Sequence, residues 1–314
     1  MEFYPLKLNP IFKSRIWGGE RLAKVFGKDL PTGEKIGESW ELADLEDDRS
    51  TIANGVFAGQ TLREVISRYP KEVTGDEDFP KAFPLLIKFL DAQDVLSVQV
   101  HPDIETCKRM GRGNAKTECW YIISAEPGAV IYKGLKKGVT KEEFAKSIEQ
   151  GSVAELLEKI EVRQGECHFL PAGTIHAIGA GLLIAEVQMP SDTTYRVFDW
   201  NRVDENDKSR PLHKAEAMES IHFEADDDLR VTTQGRIVDC EYFKIDKCDL
   251  DKGSGTFFKQ GQMRVLIFIS GTGSIGREEP KSVQYRSGDC IVIPACFEGP
   301  LSAYQNTTYL TVTI

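Results

Sequence analysis

Short apolar segments, each closed off by Gly, Pro, Asn or Asp, recur along the chain and restrict its fold more than any other feature. Examples are FPLLIKFL, VLSVQVH, CWYIIS, AVIYKG, ECHFLPAG, GLLIAEVQ, MRVLIFIS and DCIVIPA. They predict an all-β chain built from sandwiches or barrels. Helical signals are few and local. TLRE at 61–64 and TKEE at 140–143 are capping boxes, in which a Thr side chain and a Glu three residues later satisfy each other's backbone N–H. SVAE at 152–155 reads as a third, so a helical hairpin is expected between strands, with Gly151 at its turn. LHKAEAMESI (212–221) predicts one more short helix, joining a first β-unit to a second.

GECHFLP, starting at Gly165, and GDCIVIP, starting at Gly288, share the pattern G-x5-P. Their separation is too long for a solenoid repeat and suits two copies of one β-domain. The first copy continues PAGTIHAIGAG and contains His176, whereas the second continues PACFEGPLSAY with no histidine. If that histidine binds a metal, only the first copy has the site.

The formal net charge of −10 argues against nucleic acid or an anionic membrane as a partner. Any small anionic substrate would need a local cluster of Lys and Arg. MEFYPLKLNPIFK has no signal-peptide pattern, and AIGAGLLIA is too short to span a bilayer. The seven cysteines show no CxxC or CxH spacing, so reduced thiols and a cytoplasmic location are expected. WGGERL lacks the Lys-Ser/Thr of a phosphate loop. GTGSIG (271–276) matches a dinucleotide fingerprint but is followed by strand-like residues, and is read as a glycine-rich β-turn.

In SVQVHPD (97–103), Ser97, Gln99 and His101 alternate with Val98 and Val100, giving a strand with one polar face. Glu118 opens the next apolar strand, and His176 follows a Pro-Ala-Gly turn that reverses the chain over the same sheet. Two imidazoles, a carboxylate and an amide oxygen suit a divalent metal with a coordination position left open. Zn²⁺ fits, as do Fe²⁺, Mn²⁺, Co²⁺ and Ni²⁺. The chain has five histidines; His168, His213 and His222 have no comparable setting, and His168 is expected to line a wall.

The turn G-x5-P-x-G-x2-H resembles a motif of the cupin superfamily. SRIWGGERL, GESWELAD, LSVQVHPD, AKTECWYI, LPAGTIHAIGAGLLIAEVQMPSDTTYRVFDWNR and LHKAEA resemble something narrower, the short bacterial form of type I phosphomannose isomerase. The resemblance runs from about residue 14 to 217, and the remainder is similar only in general cupin character. It implies two cupin-type (jelly-roll) β-barrels: a catalytic domain at 1–222, with a short helical insertion at about 138–160, and a C-terminal domain at 223–314 without a metal site. It also implies one Zn²⁺ per chain held by Gln99, His101, Glu118 and His176, an active-site arginine at Arg196, and a lysine near the substrate at Lys116.

The reaction so implied interconverts mannose 6-phosphate and fructose 6-phosphate through an enediol. A bound metal stabilises the developing enediolate, while a base carries the proton between C2 and C1. Glu186, in LLIAEVQM, is the candidate base, with Asp103 and Glu38 weaker candidates. Arg196 is assigned to the substrate oxyanion or phosphate, and Lys116 to a polar contact or to ring opening. An Fe-dependent cupin dioxygenase and a non-catalytic sugar-phosphate-binding cupin are the alternatives, and both a monomer and a homodimer are compatible with the sequence.

Overall fold

The computed structural model describes residues 3–203, 208–224, 231–277 and 282–314. Strands dominate. The longest described α-helix, Lys141–Gln150, has 10 residues, and no described helix is long and apolar enough to cross a membrane.

By packing, the chain divides into two compact units, one formed by 15–19 and 90–231 and the other by 3–14, 20–89 and 232–314. Most of the N-terminal ninety residues pack in the same unit as residues 232–314.

In the unit containing 90–231, one sheet has five strands in the order Tyr195–Phe198, Val98–Val100, His176–Ile178, Val130–Leu135, Leu157–Glu161. In the other, Leu86–Ala92 is followed by Leu182–Gln188, Glu118–Ala125 and Cys167–Leu170, with residues 90–92 of the first strand in this unit. Trp120, Ile122, Leu182 and Ile184 from one sheet and Ile131 and Ile178 from the other share a core with Trp17. Val98, Val100, Ala177 and Val197 point the other way and join a second cluster with Phe144 and Ile148 of the 141–150 helix and Ala217 of the Lys214–Ser220 helix. The polar face of SVQVHPD is therefore turned away from the helices, into the unit.

The other unit has a six-stranded sheet in which Thr307–Thr313, Arg264–Ser270 and Cys290–Ile293 lie side by side. Its second sheet has the order Gly255–Phe258, Gly299–Ala303, Thr272–Ile275, Val283–Arg286. The G-x5-P repeat reappears in its backbone bonds. Gly165 N donates to Ile122 O and Gly288 N to Phe268 O, while Ile122 N and Phe268 N take the carbonyls of Glu166 and Asp289 in return. Both glycines have positive φ, 90° and 87°, a conformation most side chains resist.

Both Thr capping boxes form, at the starts of Leu62–Arg68 and Lys141–Gln150. SVAE does not start a helix. Val153–Leu156 is a single 3-10 turn, and Leu157–Glu161 is an edge strand of the five-stranded sheet. Leu157 thus reaches the core through strand pairing, and tertiary packing overrides the local cap signal. GTGSIG is likewise corrected: Thr272–Ile275 is a paired strand rather than a turn.

Candidate metal centre

Strand register assembles the site. Gln99 pairs with Arg196 on one side and His176 on the other, and His176 pairs in turn with Lys133. Register partners share a face, so Arg196, Gln99, His176 and Lys133 form one row across four strands, about 14 Å long at ordinary strand spacing. On the other sheet, Glu118 pairs with Gln188 and Leu170, and Trp120 with Glu186 and His168.

His101 lies just past the end of the Val98–Val100 strand. The Pro-Ala-Gly turn is tied to it, because Gly173 N donates to His101 O at 2.8 Å. Gly173 has φ 89°, and a Cβ there would come within 2.5 Å of the His222 ring. The spacing of the G-x5-P-x-G-x2-H motif thus has a physical meaning: it ties the two histidines together through the backbone.

His101, Glu118 and His176 are all buried, and one donor atom from each lies within 4.8 Å of the other two. His101 Nε2 is 3.5 Å from Glu118 Oε2, and His176 Nε2 is 3.4 Å from Glu118 Oε1. These distances are long for hydrogen bonds. They match the roughly 3.4 Å between ligand atoms around a tetrahedral ion with bonds of about 2.0–2.1 Å. The tautomers agree. His101 Nδ1 bonds the Thr193 carbonyl at 2.8 Å and His176 Nδ1 the Thr174 carbonyl at 2.9 Å. A carbonyl only accepts, so Nδ1 carries the hydrogen and the Nε2 lone pairs are left facing Glu118. The Gln99 amide lies 3.4 Å from His176 Nε2, and rotating it by half a turn exchanges its nitrogen for its oxygen. The donor set fits a divalent metal.

Lys116 Nζ is 2.8 Å from Glu118 Oε2, so the lysine singled out in the sequence reaches the centre. Glu186 is buried rather than on the surface, and Trp120 Nε1 donates to its Oε1 at 3.1 Å. Trp120 in turn stands edge-on to His176, with ring centroids 5.3 Å apart. Burial pushes the His176 imidazole below its ordinary range, while the charges of Glu118 and Glu186 oppose the shift. The neutral ring is the form that can ligate.

Asp103, a weaker candidate base, is engaged by a helix N-terminus and a histidine. It caps the Ile104–Met110 helix, accepting from Thr106 N at 2.6 Å, and it pairs with His222 at 2.7 Å. Glu38 belongs to the other compact unit, where it accepts from Trp40 Nε1 at 2.6 Å.

Lys133 and Trp120 were not singled out from the sequence. Trp120 is two residues beyond Glu118, so it shares that strand face, and this alternation was available as a signal. Lys133 is fully buried, yet AVIYKG reads as a strand with a solvated lysine near its end.

His168 is fully buried, with Nε2 3.3 Å from Glu166. Burial pulls its imidazole down from 6.5, Glu166 opposes this, and the charge of Lys133 adds to it. Below the unfolded value the unfolded chain binds a proton that the folded chain does not. The His168 contribution is therefore complete above 6.5 and lost as pH falls from there through the folded value. In metal-free protein the urea midpoint should fall between about pH 7.5 and 5.5, and fall less in His168→Gln. Equal falls would rule out His168 as a source of the pH dependence.

A strand-rich fold with a buried His-Glu-His centre held between two sheets defines a class of β-proteins equipped for a divalent metal. Residues 6–121 match the family model for phosphomannose isomerase type I, catalytic domain. The chain is 37% identical over 305 residues to the mannose-6-phosphate isomerase ManA of Bacillus subtilis, an alignment covering 92% of this chain and 93% of that protein. It is 37% identical over 299 residues to the mannose-6-phosphate isomerase of Streptococcus mutans, covering 92% of each. The crystal structure of the Bacillus subtilis mannose 6-phosphate isomerase superimposes with a TM-score of 0.89 at 32% identity, covering 99% of this chain and 100% of that one. The chain belongs to the type I phosphomannose isomerase family.

Proposed function

We propose that the chain is a metal-dependent aldose–ketose isomerase that interconverts mannose 6-phosphate and fructose 6-phosphate. One observation carries the chemistry: two imidazole Nε2 atoms converge on the two oxygens of Glu118 at 3.5 and 3.4 Å. The names of the relatives carry the substrate. Gln99, His101, Glu118 and His176 would hold one Zn²⁺ per chain. When bound, the ion supplies electrostatic stabilisation to the oxygens at C1 and C2 as negative charge develops there.

The chain's own residues do the rest. Glu186 takes the C2 proton of the open-chain aldose and returns it to C1, while the O2 proton moves to O1. Trp120 Nε1 fixes one Glu186 oxygen, and burial keeps bulk water from competing for the proton. Lys116 has a short reach to Glu118 and assists ring opening or contacts a sugar hydroxyl. Arg196, in the same row as Gln99 and His176, takes the anionic end of the substrate.

Both units are read as cupin-type jelly-roll barrels, because their sheets repeat one strand order. In the second copy, Gly299 opens the strand that corresponds to His176–Ile178, so no imidazole is supplied and that copy is structural. Residues 1–222 carry the chemistry. The protein is taken to act in the cytoplasm on a small sugar phosphate.

Incubating the metal-loaded protein with mannose 6-phosphate in D₂O should yield fructose 6-phosphate with some deuterium at C1, the buried base exchanging its proton with solvent in only part of the turnovers. A chelator should stop turnover, and Zn²⁺ should restore it. Product without any deuterium would count against proton transfer through a base that exchanges with solvent, and undiminished turnover after complete metal removal would sink the metal-dependent reading.

A further inference from the structure

Gln188 ends the Leu182–Gln188 strand directly opposite Glu118 of the neighbouring strand. Register partners share a face, so its side chain lies beside the carboxylate of the candidate metal centre. Glu186, two residues earlier, is on that face too. Gln188 is fully buried. Its amide has one orientation. Nε2 donates to the Met189 carbonyl at 2.8 Å and to the Ser191 carbonyl at 2.6 Å, and a carbonyl only accepts, so the nitrogen is fixed on that side. Oε1 is left on the opposite side, and it has no hydrogen-bond partner among the described residues.

The amide's two hydrogens organise the loop that follows the strand. Ser191 Oγ donates to Asn114 O at 3.0 Å, Thr193 N donates to Ser191 Oγ at 3.1 Å, and the Thr193 carbonyl holds His101 Nδ1 at 2.8 Å. Support of this loop accounts for both N–H groups of Gln188. It leaves Oε1 unexplained. A buried acceptor without a donor is unfavourable, and in a native protein such an atom calls for a partner outside the chain or a role at a site.

We infer that Gln188 Oε1 accepts a hydrogen bond from the C2 hydroxyl of the open-chain aldose, which makes Gln188 a specificity-determining residue. The inference rests on the isomerase reading, in which the oxygens at C1 and C2 lie at the metal centre. In the aldose, O1 is a carbonyl oxygen with no hydrogen to give, whereas O2 is a hydroxyl. An acceptor beside Glu118 therefore suits O2. In the ketose the hydrogen is on O1 and O2 is the carbonyl, so the same acceptor can serve the product by taking the O1 hydrogen. Because Nε2 is tied to two backbone carbonyls, the amide cannot turn round to offer a donor instead. The site is thereby matched to 2-hydroxyaldoses, and a 2-deoxy sugar leaves Oε1 buried and unpaired.

The test uses the full-length, metal-loaded protein with mannose 6-phosphate and 2-deoxyglucose 6-phosphate. The second sugar differs only in having hydrogen in place of the C2 hydroxyl, and it cannot become a 2-ketose, so it acts as an inhibitor without turnover. Gln188→Met keeps the length of the side chain and removes the acceptor. The variant should lose about tenfold or more in kcat/KM for mannose 6-phosphate, while the inhibition constant of 2-deoxyglucose 6-phosphate moves by less than about twofold. Elemental analysis sets both proteins at equal metal occupancy, so that the comparison reads the hydroxyl contact. A role confined to the loop weakens both ligands alike, and equal losses overturn the assignment. If Gln188→Met does not fold, calorimetry on the parent protein decides: 2-deoxyglucose 6-phosphate should bind about tenfold or more weaker than mannose 6-phosphate, and equal affinities overturn the assignment. A parent protein without turnover would sink the isomerase reading. The hydroxyl contact would still stand if its calorimetric affinity for mannose 6-phosphate alone fell in Gln188→Met.

Discussion

Glu118→Gln is expected to lose the metal and almost all turnover. Glu118 contacts both halves of the centre, with one oxygen 3.5 Å from His101 Nε2 and the other 3.4 Å from His176 Nε2. An amide has nearly the same shape but no charge, so folding is preserved while the anionic ligand is removed. Metal stabilisation of the transition state is worth several kcal/mol, and kcat/KM should fall by about 10³ to 10⁵. Elemental analysis after dialysis should show far less than one ion per chain. Full metal occupancy in the variant would remove Glu118 from the ligand set. Circular dichroism of the metal-free proteins gives the folding control and should match, although the variant should melt lower because Lys116 Nζ, 2.8 Å from Glu118 Oε2, loses its anionic partner.

Glu186→Gln is the second large effect, and it should separate proton transfer from metal binding. Glu186 is buried and held by Trp120 Nε1 at 3.1 Å. A glutamine oxygen can accept the same hydrogen bond, so the side chain stays in place but can no longer take a proton. Positioned general bases contribute about 10² to 10⁴ in rate, and kcat should drop by that much. Metal content should match the parent. Exchange of the C2 proton with solvent should slow in step with kcat. Retention of more than about a third of the parent kcat would pass the role of base to another group.

Much of the site could be read along the chain because strand alternation is a local property. Ser97, Gln99 and His101 separate from Val98 and Val100 by period two alone, and the structure places the valines under helices and the polar residues inside. The capping boxes at Thr61 and Thr140 also depend only on neighbours in sequence, and both form. SVAE has the same Ser/Thr-x-x-Glu pattern yet begins no α-helix, because Leu157–Glu161 is drawn into pairing with Val130–Leu135.

Lys133, Arg202 and Arg210 could not be found this way. Nothing within a few residues of Lys133 distinguishes it from a solvated lysine, and its burial follows from the register that sets it opposite His176. Arg202 and Arg210 both reach one oxygen of Asp199, a convergence that no short segment shows. The Thr174 and Thr193 carbonyls that fix the two imidazoles are backbone groups, which no residue pattern marks.

The sequence by itself determined the strand-rich class, the faces of the strands, and the kinds of side chain available for a metal centre. It could do so because alternation, caps and turn residues act over a few bonds. Tertiary structure alone decided which faces meet, which lysine is buried, and where the positive charge gathers. Those outcomes depend on cross-strand register and packing between residues far apart in the chain, whose energies no short segment contains.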